Sequence, residues 1–283
     1  MSENNYSLGL YEKSMPNSLN WKQKLEIAKK TGFDFVEISI DETDEKLARL
    51  DMTAQERVNL VAVMSETGIH FETMCLSGHR KYPLGSLDDG TRAHGLQIMG
   101  KAIILARDLG IRIIQLAGYD VYYENSTEQT RALFAESLQK SVQLAAKFGV
   151  LLAFETMETP FLNTVKKAMY WVKKSDSPYL MVYPDSGNLT NAAIAEGKDV
   201  LDDIEAGRGH LAAFHLKETV PGKFREIPYG MGHVNFEAII QKSYELGVRR
   251  YTAEFWYVGQ ENWTQAIADS HVFLRERFVD AGL

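Results

Sequence analysis

Three acidic side chains and one imidazole close short apolar runs in the second half of the chain: Glu155 in VLLAFETME, Asp185 in YLMVYPDSGN, His215 in LAAFHLKE and Glu254 in YTAEFW. An unpaired charge buried at a strand end costs several kcal/mol, roughly, even after relaxation. One such residue could be offset by a lysine or arginine. Four on consecutive strands repel one another unless a cation lies among them, and strands only about 4.8 Å apart let an arc of four converge on one ion. Three carboxylates and one imidazole, with no thiolate, suit Mn²⁺ or Mg²⁺ and would also accept Zn²⁺ or Co²⁺. Four protein ligands leave two positions open on an octahedral ion. That is enough for a carbonyl oxygen and the adjacent hydroxyl of a sugar.

The elements that must position these residues announce themselves by repetition. A helical pattern, a glycine and a short apolar run recur as TGFDFVEISI from Thr31, TGIHFETMCL from Thr67, LGIRIIQLAG from Leu109, FGVLLAFETM from Phe148 and LGVRRYTAEFW from Leu246. The glycine falls where a helix end needs a left-handed residue, and the run after it has the pattern of a strand buried on both faces. Runs at 7–11, 180–184 and 211–216 bring the strand candidates to eight. Helical spacing fills 20–31, 54–67, 91–109, 128–148 and 263–281. Asn20 with Gln23, Thr53 with Glu56, Ser126 with Gln129 and Asn262 with Gln265 match the capping-box spacing. Strict alternation implies a parallel sheet with right-handed crossovers. Eight such units in about 250 residues predict a (β/α)₈ TIM barrel, one domain over 1–283. A doubly wound open sheet competes, but no G-x-G-x-x-G follows the first strand.

In such a barrel the strand C-termini carry the chemistry. Lys217, two beyond His215, shares its face of the strand and could neutralise the acidic cluster or touch substrate. Glu158, in the loop after Glu155, is either a substrate contact or a helix-start carboxylate. A phosphate would need cations. His79, Arg80 and Lys81 follow the third strand, and Lys223 and Arg225 follow the seventh; barrels often bind phosphate near the later loops, which favours the last two. Tyr11, Glu12, Tyr119, Tyr122 and Tyr123 are candidates to wall the pocket, although aromatic groups are as common in cores. His210 reads as structural. Cys75, the only cysteine, reads as a small buried hydrophobe and rules out an internal disulfide.

The strand-end set, the opening LGLYEK and the stretches FDFVEISIDETDE, CLSGHRKYPLGS, QLAGYDVYY and PDSGNL together resemble the L-ribulose-5-phosphate (L-xylulose-5-phosphate) 3-epimerases. These belong to the xylose-isomerase-like barrels, with ketose 3-epimerases and endonuclease IV. The resemblance covers nearly the whole chain. It implies one divalent metal on Glu155, Asp185, His215 and Glu254, with Glu155 and Glu254 carrying proton transfers on opposite sides of the substrate. It also implies a sugar-hydroxyl contact for Asn188, a position that reads equally well as a turn residue, and a homodimer. Inverting C3 of a ketose phosphate needs two acid/base groups flanking a flat enediolate and a cation on the developing oxyanion, so the residue types and the implied activity agree.

Other functions remain to be separated. A 1,2-aldose–ketose isomerase or a dehydratase could use the same metal and glutamates. Repair of the endonuclease IV kind needs several metals, many histidines and a grip on a polyanion. Seven histidines in all and a net charge of −7, from 31 basic and 38 acidic residues, argue against it. A sugar-binding barrel without activity would not be expected to keep both glutamates. The opening MSENNYSLGLYEK lacks the basic and apolar regions of a secretory signal, and no apolar run approaches the roughly 18 residues of a membrane span. A cytoplasmic enzyme acting on a small sugar phosphate, without nucleic-acid or membrane partners, is expected.

Overall fold

Residues 5–283 are described by a computed structural model. The chain alternates as anticipated. β1 (Ser7–Tyr11) leads to α1 (Trp21–Lys30) and β2 (Phe35–Ile40); α2 (Asp44–Ala48) and α3 (Ala54–Thr67) precede β3 (His70–Leu76). α4 (Asp89–Leu109), β4 (Ile113–Ala117), α5 (Glu128–Phe148) and β5 (Leu151–Glu155) follow in turn. The second half runs through α6 (Val165–Ser175), β6 (Leu180–Tyr183), α7 (Ser186–Glu196), α8 (Val200–Glu205), β7 (Phe214–Leu216), α9 (Phe236–Glu245), β8 (Arg250–Ala253) and α10 (Trp263–Asp280). The eight strands form one sheet in which each neighbours the next and β1 pairs β8, all in parallel. This is the (β/α)₈ barrel.

Closure is uneven. Seven junctions are ladders, that of β2 with β3 shifting register between Val36 and Glu37, whereas β6 and β7 meet only through the single bridges Val182 to Leu211 and Asp185 to His215. β7 is accordingly shorter than the 211–216 run suggested, because its first residues only touch β6. The main apolar core lies between strands and helices. A separate small cluster of Ile113, Ala153, Tyr183 and Ala213 lies apart from it, and the Tyr183 hydroxyl reaches both Glu37 on β2 and Thr252 on β8 across the ring. No helix among the described residues is long and apolar enough to cross a membrane.

Local signals held to different degrees. The capping boxes of Asn20 with Gln23 and Thr53 with Glu56 are formed. The third lies one residue later than expected, at Thr127 with Thr130, and Asn262 precedes α10 without a side-chain cap. Gly68 and Gly110 end α3 and α4 at φ 76° and 78°, the left-handed turn a side chain resists. α6 makes the same turn at Asp176, φ 48°, so no glycine marks the approach to β6.

Glu12 does not wall the pocket. It follows Tyr11 and turns away from the barrel interior into a buried knot, with Lys24 at 3.0 Å, Lys46 at 2.6 Å, Arg49 at 2.6 Å and the Ser39 amide donating at 2.8 Å. Burial opposes its ionisation, but Arg49, Lys24 and Lys46 outweigh that and bring its pKa down to about 2. Lys46 is pulled below the ordinary lysine range by burial, with Glu12 opposing and Arg49 reinforcing that pull. A carboxyl depressed on folding contributes stability above its unfolded pKa and loses it as pH falls toward the folded value. Urea unfolding across pH 6 to 2.5 is therefore expected to show a loss of about 3 kcal/mol below pH 4.5 that Glu12→Gln lacks. At neutral pH that variant should be less stable by about 3–5 kcal/mol, because three buried cations lose their shared anion.

Candidate active site

The four strand-end residues converge. Glu155 is the last residue of β5, His215 the middle residue of β7, and Glu254 follows β8 directly. Asp185 lies two residues past β6 and caps α7, accepting from the Asn188 amide at 2.6 Å. Gly187 lets α7 begin this close to β7, since a Cβ there would fall 2.4 Å from Thr219 Cγ2 and 3.0 Å from the Lys217 carbonyl oxygen. One ligand atom from each of Glu155, Asp185, His215 and Glu254 lies within 4.8 Å of the others, and all four residues are buried.

Hydrogen bonding leaves these atoms free. Asp185 Oδ2, His215 Nδ1 and Glu254 Oε2 are buried without a hydrogen-bond partner, a costly condition for three polar atoms in one place. His215 Nε2 lies 2.7 Å from Glu37 Oε1 and must donate to that carboxylate, so a neutral ring presents its lone pair at Nδ1. Nδ1 faces Glu155 Oε1 at 3.5 Å and Glu254 Oε2 at 3.3 Å. Two carboxylates and a lone pair facing one point require a positive charge between them. These residues therefore fit a divalent cation through the donor set and the unpartnered atoms together. Gln115 donates to the other oxygen of Glu155 and leaves Glu155 Oε1 turned toward the cluster.

Among the described residues Lys217 is the one ammonium in the cluster, 3.1 Å from Asp185 and 3.5 Å from Glu254. Burial works against its charge, but Asp185 and Glu254 more than compensate and hold it above the ordinary lysine range. Burial also pushes Asp185 well above the usual carboxyl range against the pull of Lys217. Burial raises Glu254 too, yet Lys217 and His215 outweigh it and leave that carboxyl well below the range. His215 is disfavoured as a cation by burial, but Glu37 and Glu254 drive its pKa well above that of free imidazole. Protons held this tightly mark a site short of positive charge, which an ion at the same place would supply.

A pocket opens above the cluster, lined among others by Tyr11, Glu155, Glu158, Asn188, Lys217 and Glu254. Arg80 and Arg225 reach it, as does Lys13, which the sequence did not single out. Arg80 stacks on Tyr122 at 4.5 Å, and Arg225 sits 5.8 Å over Trp256 and 3.5 Å from Glu158. Lys223 is exposed in a tight turn, its backbone paired with Val220, and is not among the lining residues. His79 turns instead to the Gly95 carbonyl at 3.0 Å, its pKa lowered to about 4 by burial, and Lys81 faces Asp44. Asn188 donates to the Thr156 carbonyl at 2.7 Å and leaves Oδ1 unpartnered. Cys75 is buried at the pocket wall, its thiol pushed up by burial and then by Glu37. Tyr122 supports Glu158 from beneath at 3.1 Å, whereas Tyr123 is exposed.

If an ion holds the four groups together, binding must stabilise the fold. Scanning calorimetry with free Mn²⁺ at about 100 times its Kd should find the chain about 2.7 kcal/mol more stable than in chelator. Asp185→Asn should lose most of that gain.

Comparison with known proteins adds an independent line. A family model described as a xylose isomerase-like TIM barrel matches residues 25–277. L-ribulose-5-phosphate 3-epimerase UlaE of Salmonella paratyphi B is 44% identical over 277 residues, covering 98% of this chain and 96% of the relative. Among solved structures, a D-tagatose 3-epimerase-like protein superposes with TM-score 0.80 at 16% identity, covering 98% of each chain. An L-ribulose 3-epimerase superposes with TM-score 0.76 at 19% identity, covering 98% of this chain and 95% of the other. At such identities the structural likeness speaks for the fold alone.

Proposed function

The chain belongs to the xylose isomerase-like TIM barrels and, within them, to the L-ribulose-5-phosphate 3-epimerases, and from that premise we propose that it interconverts L-ribulose 5-phosphate and L-xylulose 5-phosphate. The reading includes one divalent ion, Mn²⁺ or Mg²⁺ first, on Glu155, Asp185, His215 and Glu254. The observation that carries it is the placement of two glutamates from different strands, β5 and β8, either side of His215 Nδ1 at 3.5 and 3.3 Å. A bound divalent ion would polarise the C2 carbonyl and steady the oxyanion that develops there.

The chain's own groups do the rest. One of Glu155 and Glu254 takes the C3 proton, and the other returns one to the opposite face of the flat enediolate. Gln115 holds the far oxygen of Glu155, fixing which oxygen meets the substrate. Lys217 stands between Asp185 and Glu254, 3.1 and 3.5 Å away, and offsets their mutual repulsion. Arg80 and Arg225 at the mouth suit the phosphate, Asn188 with its free Oδ1 suits a sugar hydroxyl, and Glu158 is placed to orient Arg225. The whole chain acts as one domain, in the cytoplasm and as a homodimer, the last testable by light scattering.

Glu155→Gln and Glu254→Gln are each expected to slow epimerisation by roughly 10²–10⁴-fold without unfolding the chain. Proton NMR in D₂O reads this directly: the parent should place solvent deuterium at C3. Label entering C1 or C2 instead would assign a 1,2-isomerase. Arg80→Met and Arg225→Gln should raise KM for the phosphorylated sugar at least tenfold, estimated from loss of a charge-assisted hydrogen bond. Turnover of unphosphorylated L-ribulose should change little.

A further inference from the structure

Glu37 occupies the middle of β2, is fully buried inside the ring and is not among the residues lining the pocket. Its Oε1 accepts from His215 Nε2 at 2.7 Å. Its Oε2 accepts from Thr73 Oγ1 at 2.6 Å and from the Tyr183 hydroxyl at 3.0 Å, and that hydroxyl lies 2.8 Å from Thr252 Oγ1. No lysine or arginine pairs with it among the described residues; its one ionic partner is His215. A carboxylate buried without a fixed cation is a poor way to stabilise a core, where an apolar residue of similar size serves as well or better. Its partners all serve to orient it. Tyr183 also packs edge-on with the imidazole, ring centres 4.7 Å apart and planes at 65°.

We propose that Glu37 is the positioning residue of the metal centre. It fixes the His215 tautomer with the proton on Nε2, turns the Nδ1 lone pair into the carboxylate cluster, and makes that nitrogen a stronger donor to a divalent cation. Thr73 and Tyr183 hold Glu37 in turn, so the geometry at the ion is set from the far side of the barrel. This rests on the reading that Glu155, Asp185, His215 and Glu254 bind an ion, and it assigns a role to a residue that touches neither ion nor substrate.

Co²⁺ serves as the probe, titrated into the metal-free full-length chain and followed by its visible absorption bands, with calorimetric melting of each metal-free variant alongside. Glu37→Gln keeps an acceptor for His215 but removes the charge. It is expected to bind Co²⁺ some 10–100-fold more weakly and to shift the bands. Thr252→Val removes the hydroxyl beside Tyr183; Thr252 is the ladder neighbour of His215 but makes no side-chain hydrogen bond to it or to Glu37, so this variant should keep the parent affinity. Parent-like affinity in Glu37→Gln overturns the proposal, and so does equal weakening in Thr252→Val, which would mean a general loosening of the interior. Should Glu37→Gln not fold, Tyr183→Phe decides: it removes one of the two hydroxyls holding Oε2 and should weaken Co²⁺ severalfold, while no change overturns the assignment. A parent chain that takes up no Co²⁺ overturns the metal reading itself, before any variant is compared.

Discussion

Glu37, Glu155, Asp185 and Glu254 bring four carboxyl groups into the buried top of the barrel against one ammonium, that of Lys217. Their mutual repulsion constrains everything built around them. In a medium of low dielectric such a group of charges persists only if positive charge sits among it or protons remain on it. The unpartnered atoms of Asp185, His215 and Glu254 mark where that charge belongs. The strand ends, the cap of α7 and the close seating of Gly187 against β7 all hold the carboxylates at the separation a single cation bridges.

The same constraint divides the mouth from the interior. Cations that could meet an anionic substrate stand outside the cluster, with Arg80 propped on Tyr122 and Arg225 against Trp256. Glu12, one residue from the pocket-lining Tyr11, takes three further cations out of play on the far side of β1. Charge is thus sorted by strand face: negative toward the ring interior, and a positively surplus knot between barrel and helices. Strand alternation produces this sorting, since neighbouring residues point to opposite sides.

Most of the converging strand-end cluster is legible in the chain because it breaks a pattern. An acidic residue or histidine at the end of an apolar run is visible without coordinates, and eight regularly spaced runs name the barrel. Glu37 and Gln115 are harder to read because they lie within runs, FVEISI and IIQLA, rather than at their ends. A buried charge in mid-strand was itself the signal, since it must find a partner across the ring. Glu12 lies one residue past β1, where side-chain alternation turns it away from the pocket that its neighbour Tyr11 lines. Lys223 and Arg225 looked alike in sequence, and only the turn at Val220 to Lys223 separates their directions. Thr127 caps the helix in place of Ser126, whose hydroxyl donates to Asp120 Oδ2 at 2.9 Å.

The seam between β6 and β7 has a bearing on the whole ring. Asp185 and His215, which form one of its two bridges, are also members of the cation-seeking cluster. Whatever occupies that cluster therefore acts as a clasp, fastening the one place where the circle of strands is stitched rather than woven. An ion bound there would tie β6 to β7 as well as serve the site, so ligand binding and closure of the ring would be coupled.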